Sequence, residues 1–182
     1  MNTKINNFIK NALIEDIGSG DITSIACIDE SWSGTAQLIT KQDCHIAGID
    51  IAEKIYKFYD NQLIFKPFKI DGEKLESKTT VFTISGNQRS ILATERLILN
   101  CMQRMSGIAT KTNQFVEKIK DLDTVILDTR KTCPNMRFLD KKAVGEKIEE
   151  RLTELSKTIN LKGFRPGKVP VDVLKRQFGK AV

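Results

Sequence analysis

The residues best suited to chemistry lie together at Asp128-Thr129-Arg130-Lys131-Thr132, directly after the apolar run Thr124-Val125-Ile126-Leu127. A segment from Asp123 to Leu127 without polar alternation reads as a short strand buried on both faces, as in a parallel sheet. In parallel α/β structures ligands sit beyond the carboxyl ends of the strands. That end here offers Arg130, Lys131 and two hydroxyls, with Arg137 six residues past Lys131. Arginine presents a planar fork and lysine a point charge, so phosphates or carboxylates are the ligands such a set would hold. A solvated basic loop is the competing reading of the same residues.

Other candidate groups point away from metal or thiol chemistry. Cys27, Cys44, Cys101 and Cys133 form no C-x-x-C pair, and His45 is the only histidine, so no zinc motif is present. The expectation is reduced thiols in a cytoplasmic protein. His45 precedes Ala47-Gly48 in a strand-like context, where a structural role is favoured over a catalytic one. Met102 and Met105 share a helical face and read as core.

The elements that must position these residues follow from hydrophobic spacing. Ile5, Phe8, Ile9, Ala12, Leu13 and Ile17 mark an amphipathic helix over Ile5 to Asp16, ended by Gly18-Ser19-Gly20. Asp21 to Ser24 reads as a turn, and Gly34 to Thr40 as a strand. A second helix is expected from Ile49 to Tyr59. Gln62 to Lys69 is extended, and Pro67 places it at a sheet edge. Asp71-Gly72 is a turn, and Thr79 to Ser85 is a strand closed by Ser85-Gly86-Asn87. A helix over Ile91 to Ile108 has Leu92, Leu99, Met102 and Met105 among its apolar positions, and a further helix covers about Ala109 to Lys120. Gly145 to Thr158 predicts a charged helix, and Val171 to Phe178 a short final one.

With 40% hydrophobic and 29% charged residues, the 182-residue chain has the mix of a folded globular protein. No apolar run approaches the ~20 residues needed to span a bilayer, and residues 1–7 lack an apolar signal region, so a membrane or secreted protein is not expected. The net charge of +6 is uneven. Val144 to Val182 carries +4 over 39 residues, and the first 143 carry +2. A polyanionic partner would meet the tail.

Several segments in order resemble quinolinate phosphoribosyltransferase (nicotinate-nucleotide diphosphorylase, carboxylating) from near the start to about Val144. They are Glu15-Asp16-Ile17-Gly18-Ser19-Gly20-Asp21-Ile22-Thr23-Ser24, Ala47-Gly48, Asp71-Gly72-Glu73 and Thr94-Glu95-Arg96-Leu97-Ile98-Leu99-Asn100. Ser106 to Thr110 and Leu127 to Arg137 complete the set. The resemblance implies an α+β chain: an N-terminal α/β sandwich domain at 1–108, then the start of an α/β barrel at 109–144, working as a homodimer. It implies that quinolinate attacks phosphoribosyl pyrophosphate, giving nicotinate mononucleotide for NAD, with pyrophosphate and carbon dioxide released. No cofactor is held tightly, and Mg2+ comes with phosphoribosyl pyrophosphate. Arg96 would reach a neighbouring subunit's site to bind a quinolinate carboxylate, and Thr129, Arg130 and Lys131 would line the pocket floor. The alternative for Arg96 is a surface charge paired with Glu95 or Glu117. Asp16 and Asp21 are expected as a cap and a turn residue rather than catalysts.

After Val144 the resemblance stops. The family's basic residue, glycine-rich turn and His-Arg pair have no counterpart, Lys142 stands where an aromatic residue is expected, and the later Lys, Glu and Asp of the barrel site are missing. An eight-stranded barrel takes ~250 residues, and only 54 follow Asp128, so the barrel is expected to stay open with an unpaired edge. From Ile148 to Val182 the chain resembles the ribosome-binding domain of trigger factor instead. The carrier is Gly163-Phe164-Arg165-Pro166-Gly167-Lys168-Val169-Pro170 between two helices, a helix-loop-helix at 145–182. It implies ribosome contact through Phe164, Arg165 and Lys168; an ordinary helix-helix loop is the alternative. The sequence thus reads as a chimera of two incomplete modules: a phosphoribosyltransferase-like part expected to lack turnover and, as the competing function, a ribosome-binding chaperone-type fragment.

Overall fold

The structure is a computed structural model. It describes residues 2–122, 124, 126, 129, 131–145, 170 and 173. The chain divides into two compact units, Met1–Ser106 and Gly107–Val182.

In the first unit, helix α1 (Asn2–Ile17) buries Ile5, Ile9 and Leu13, one residue per turn along a single stripe. Gly18 stops it with a left-handed φ of 59°, its N–H bonded to the Ile14 carbonyl at 3.0 Å. The expected turn at 21–24 is instead the start of a short helix, α2 (Ile22–Cys27). Its cap is local and strong, because Asp21 accepts from the Ser24 N–H at 3.1 Å and from the Ser24 hydroxyl. Ile22 and Ile25 are exposed, so α2 has no apolar periodicity by which the sequence could announce it.

Strands β1 (Ser33–Ile39), β3 (Ile64–Pro67) and β5 (Thr80–Asn87) form one antiparallel sheet in the order β1-β5-β3. Strands β2 (Cys44–His45) and β4 (Lys74–Leu75) form a second, two-stranded pair. Pro67 lies on an edge strand, as its missing N–H requires. Strand β5 does not close at 85–87 as the sequence suggests. Gly86 pairs with Gly34 and Asn87 with Ser33, which carries the ladder to the end of β5. His45 is buried in β2.

Helix α3 (Ile49–Tyr59) packs Ile51, Ala52, Ile55 and Tyr56 inward. Across from it, the rings of Phe65 and Phe82 lie 4.7 Å apart, and Tyr56 meets Phe82 edge-on at 6.2 Å. Burial, and then the charge of Glu95, pushes the Tyr56 hydroxyl up to about 12, so it stays protonated at neutral pH.

Helix α4 (Gln88–Lys118) is continuous where the sequence suggests two helices meeting near residue 108. A glycine inside a helix costs only about 1 kcal/mol, and the buried stripe of Cys101, Met102, Met105 and Ala109 passes Gly107 without losing register. Both methionines are core, as their spacing requires, whereas Leu92 is 42% exposed rather than inward-facing.

In the second unit, residues 137–145 are helical, a position where the sequence reading placed no element. Leu139, Asp140 and Ala143 are its buried positions. The strand expected at Asp123 to Leu127 is described only at Thr124 and Ile126, neither in a strand. The helices expected at Gly145 to Thr158 and Val171 to Phe178 lie almost wholly outside the described residues.

Candidate functional site

The exposed face of α4 carries Leu92, Arg96, Asn100 and Gln103, spaced three to four residues apart. Two clefts open along it. One, of about 240 Å³, is lined by Asp16, Ile17, Asp21, Ile22, Leu92 and Arg96, among others. The other, of about 320 Å³, lies between Arg96, Glu95, Leu99, Asn100 and Gln103, with Leu92 at its end. Arg96 borders both and is the cation they share.

The walls of the first cleft are tied to α4. Arg89 donates from Nε to the Ile28 carbonyl at 2.7 Å and from Nη2 to the Ile25 carbonyl at 3.2 Å. A cation on the last carbonyls of α2 complements the negative end of that helix. Asn87 Nδ2 donates to the Glu30 carbonyl at 2.6 Å, and Gln88 Nε2 to the Ser33 carbonyl at 3.1 Å. From the other side, Arg96 Nη1 meets Asp16 Oδ1 at 2.9 Å. Its partner is therefore neither Glu95 nor Glu117, but a carboxylate 80 residues away in sequence.

Asp16 accordingly sits in the last turn of α1 as an ion-pair partner, not as a cap or turn residue, while Asp21 is a true cap. Hydrogen bonds from the Ser24 hydroxyl and N–H hold the Asp21 carboxyl below the usual carboxylate range, with a smaller pull from Arg96. A depressed carboxyl stabilises the fold above its unfolded pKa, and that contribution is lost as pH falls through the folded value. At neutral pH Asp21 is thus an anion whose oxygens are engaged by Ser24. It attracts Arg96 without bonding to it.

Behind this face, a motif glycine, a carboxylate and a hydroxyl set the backbone. Gly48 precedes α3 with φ of 99°, and a Cβ there would lie 3.1 Å from Met105 Sδ. Lacking a side-chain cap at Gly48, α3 takes one from Asp71, whose Oδ1 accepts from the Ile49 N–H at 2.7 Å. Ser106 Oγ accepts from the Ala47 N–H at 3.0 Å. These roles for Asp71 and Ser106 escape sequence reading because each contact joins residues 22 or more apart.

In the second unit Thr129 and Lys131 are exposed, and Thr129 Oγ1 accepts from the Lys131 N–H at 3.1 Å. The side-chain hydroxyl thereby turns the backbone two residues on. Arg137, also exposed, opens the helical stretch 137–145. Cys133 N–H points to Asp140 Oδ2 at 3.4 Å. Asp128 and Arg130 lie outside the described residues, as do Phe164, Arg165 and Lys168. Among the described residues no group of three or more His, Cys, Asp or Glu side chains converges to hold a metal, and no helix is long and apolar enough to cross a membrane.

An antiparallel sheet packed against α3, with an exposed arginine on α4 framed by Asp16 and Asp21, defines an α+β module. Known proteins make that class specific. The profile of the quinolinate phosphoribosyl transferase N-terminal domain matches residues 21–106, and that of the C-terminal domain matches 108–148. A probable nicotinate-nucleotide pyrophosphorylase (carboxylating) of Synechocystis sp. is 37% identical over 150 residues, 81% of this chain and 50% of its own length. Its Bacillus subtilis counterpart is 34% identical over 141 residues, 78% of this chain and 48% of its own. The crystal structure of NadC from Streptococcus pyogenes matches with a TM-score of 0.77 at 33% identity, over 81% of this chain and 54% of that one. The nicotinate-nucleotide pyrophosphorylase of Francisella tularensis gives 0.76 at 36% identity, over 81% and 53%. Residues 21–148 therefore belong to the quinolinate phosphoribosyltransferase family, and the fold is the α+β fold of that family. The chain spans about half the length of these relatives. The profile of bacterial trigger factor matches residues 138–182.

Proposed function

We propose that this chain serves the quinolinate phosphoribosyltransferase reaction of NAD synthesis by recognising quinolinate. In that reaction the ring nitrogen of quinolinate bonds to the anomeric carbon of phosphoribosyl pyrophosphate, and pyrophosphate leaves with the electron pair. Loss of carbon dioxide then gives nicotinate mononucleotide. Both substrates are polyanions, so binding needs fixed cations in a partly desolvated cleft. Arg96 carries the reading: it is the cation presented at both of the clefts along α4 described above. It binds a quinolinate carboxylate in a neighbouring subunit of a homodimer, while Thr129, Arg130 and Lys131 form the pocket floor. Magnesium enters with phosphoribosyl pyrophosphate as part of the substrate. The domains are 1–108 for the sandwich, 109–144 for the barrel segment and 145–182 for the tail.

The sequence after Val144 carries none of the later basic and acidic residues expected of the barrel site, so binding without turnover is the expected behaviour of this chain alone. Calorimetric titration with quinolinate should show saturable binding, and Arg96→Ala should weaken it about tenfold or more, the worth of a charged hydrogen bond. An assay with both substrates and Mg2+ should yield no nicotinate mononucleotide. Absence of quinolinate binding refutes the recognition role, and product formation refutes the binding-only form of it.

The trigger factor match favours a second reading, contact with the ribosome through the Gly163–Pro170 loop. Phe164, Arg165 and Lys168 offer the basic, partly apolar tip that a ribosomal surface would accept. Co-sedimentation with ribosomes should be lost when all three become alanine; equal sedimentation of the triple variant removes this reading.

A further inference from the structure

We propose that Asp16 is a positioning residue for Arg96, fixing its guanidinium so that one edge stays open for a carboxylate; this rests on the quinolinate-binding reading above. Three observations converge on it. First, the contact is one-sided. Asp16 Oδ1 takes Nη1 at 2.9 Å, and among the described residues it is the only hydrogen-bond partner of the Arg96 guanidinium. The Nε–Nη2 edge keeps two parallel donors, the geometry that a carboxylate accepts as a fork. Second, the two ends differ in exposure. The Asp16 side chain is 22% exposed and that of Arg96 is 73% exposed, so the acid is the anchored end and the arginine the presented one. Third, the acid is misplaced for helix stability. Asp16 lies in the last turn of α1, which has no basic residue there. A carboxylate at that end opposes the helix dipole. A residue present only to stabilise α1 would have the opposite charge.

Asp21 completes the arrangement. It faces the same cleft, but its oxygens are engaged by Ser24. It draws the guanidinium toward the α1–α2 side without competing for its donors. A long flexible arginine held at one nitrogen loses less freedom when a ligand docks, so the ligand is bound more tightly.

A carboxylate beside a ligand-binding arginine can also act as a competitor, and the two roles predict opposite signs. Quinolinate titrations on the parent, Asp16→Ala, Arg96→Ala and the double variant separate them. Positioning predicts that Asp16→Ala weakens binding about 3- to 5-fold, the scale of one exposed charge pair. The double variant should be no weaker than Arg96→Ala, because Asp16 acts only through Arg96. Unchanged or tighter binding in Asp16→Ala, with Arg96→Ala impaired, overturns the positioning role and leaves the quinolinate reading standing. Normal binding by Arg96→Ala overturns that reading itself. Asp16→Asn keeps the side-chain shape and guards against misfolding. In ¹⁵N spectra the Arg96 Nη signals should be distinct in the parent and averaged in Asp16→Asn. Averaged signals in the parent also overturn the proposal.

Discussion

Replacing Phe82 by alanine should lower the stability of the first unit by about 3–5 kcal/mol, the usual cost of emptying a buried aromatic site. Phe82 is buried on the central strand β5 and touches the rings of both Phe65 and Tyr56. Its neighbours come from an edge strand and a helix, so no single element can collapse into the space. Against a total stability of about 5–15 kcal/mol for a domain, the change is large. Urea unfolding followed by far-UV circular dichroism would measure it; Trp32, 55% exposed, is a poor reporter. Phe82→Leu should cost much less, because it refills most of the volume. A loss below about 1 kcal/mol for the alanine variant would mean that the sheet and α3 do not share this core. The effect bears on function because β5 runs directly into α4, the helix that presents Arg96.

The second large effect is expected at Gly48. Gly48→Ala should destabilise by about 2–3 kcal/mol, from left-handed backbone strain and from crowding in a packed core. The φ of 99° excludes an easy side chain, and the added Cβ would stand 3.1 Å from Met105 Sδ and 3.5 Å from the Met102 backbone. Met105 can yield by rotating, and the Met102 backbone already stands at ordinary contact distance, so the crowding rests on Met105. The double variant Gly48→Ala, Met105→Ala tests the split between the two causes. If strain dominates, shortening Met105 restores nothing; if crowding dominates, part of the loss from Gly48→Ala is recovered against the Met105→Ala background. Thermal unfolding midpoints of the four proteins decide the matter. Neutral behaviour of Gly48→Ala would contradict both the backbone angle and the close approach of α3 to α4.

Much of this was legible without coordinates. The bounds of α3, Ile49–Tyr59, follow from its apolar spacing alone, because an amphipathic helix repeats its signal every turn. Pro67 marked its strand as an edge, and Met102 and Met105 marked the inner face of α4. The ordered motifs from Glu15 to Arg137 pointed to the family to which residues 21–148 belong. Where the reading failed, the competing cause was non-local or weakly patterned. A boundary was expected between Ile108 and Ala109, yet one helix runs through, its buried stripe continuing from Met105 to Ala109. Asp21 to Ser24 looked like a turn, because a six-residue helix with exposed isoleucines has no period to detect.

The sequence by itself determined the family of residues 21–148, the main helical stripes and the identity of Arg96 as the residue to watch. Only the tertiary structure decided what Arg96 is tied to, that Leu92 lines a cleft instead of the core, and that Asp71 and Ser106 fix the start of α3. The reason is physical. Periodicity and local capping are written in neighbouring residues, whereas an ion pair spanning 80 positions exists only once two helices have packed against one another.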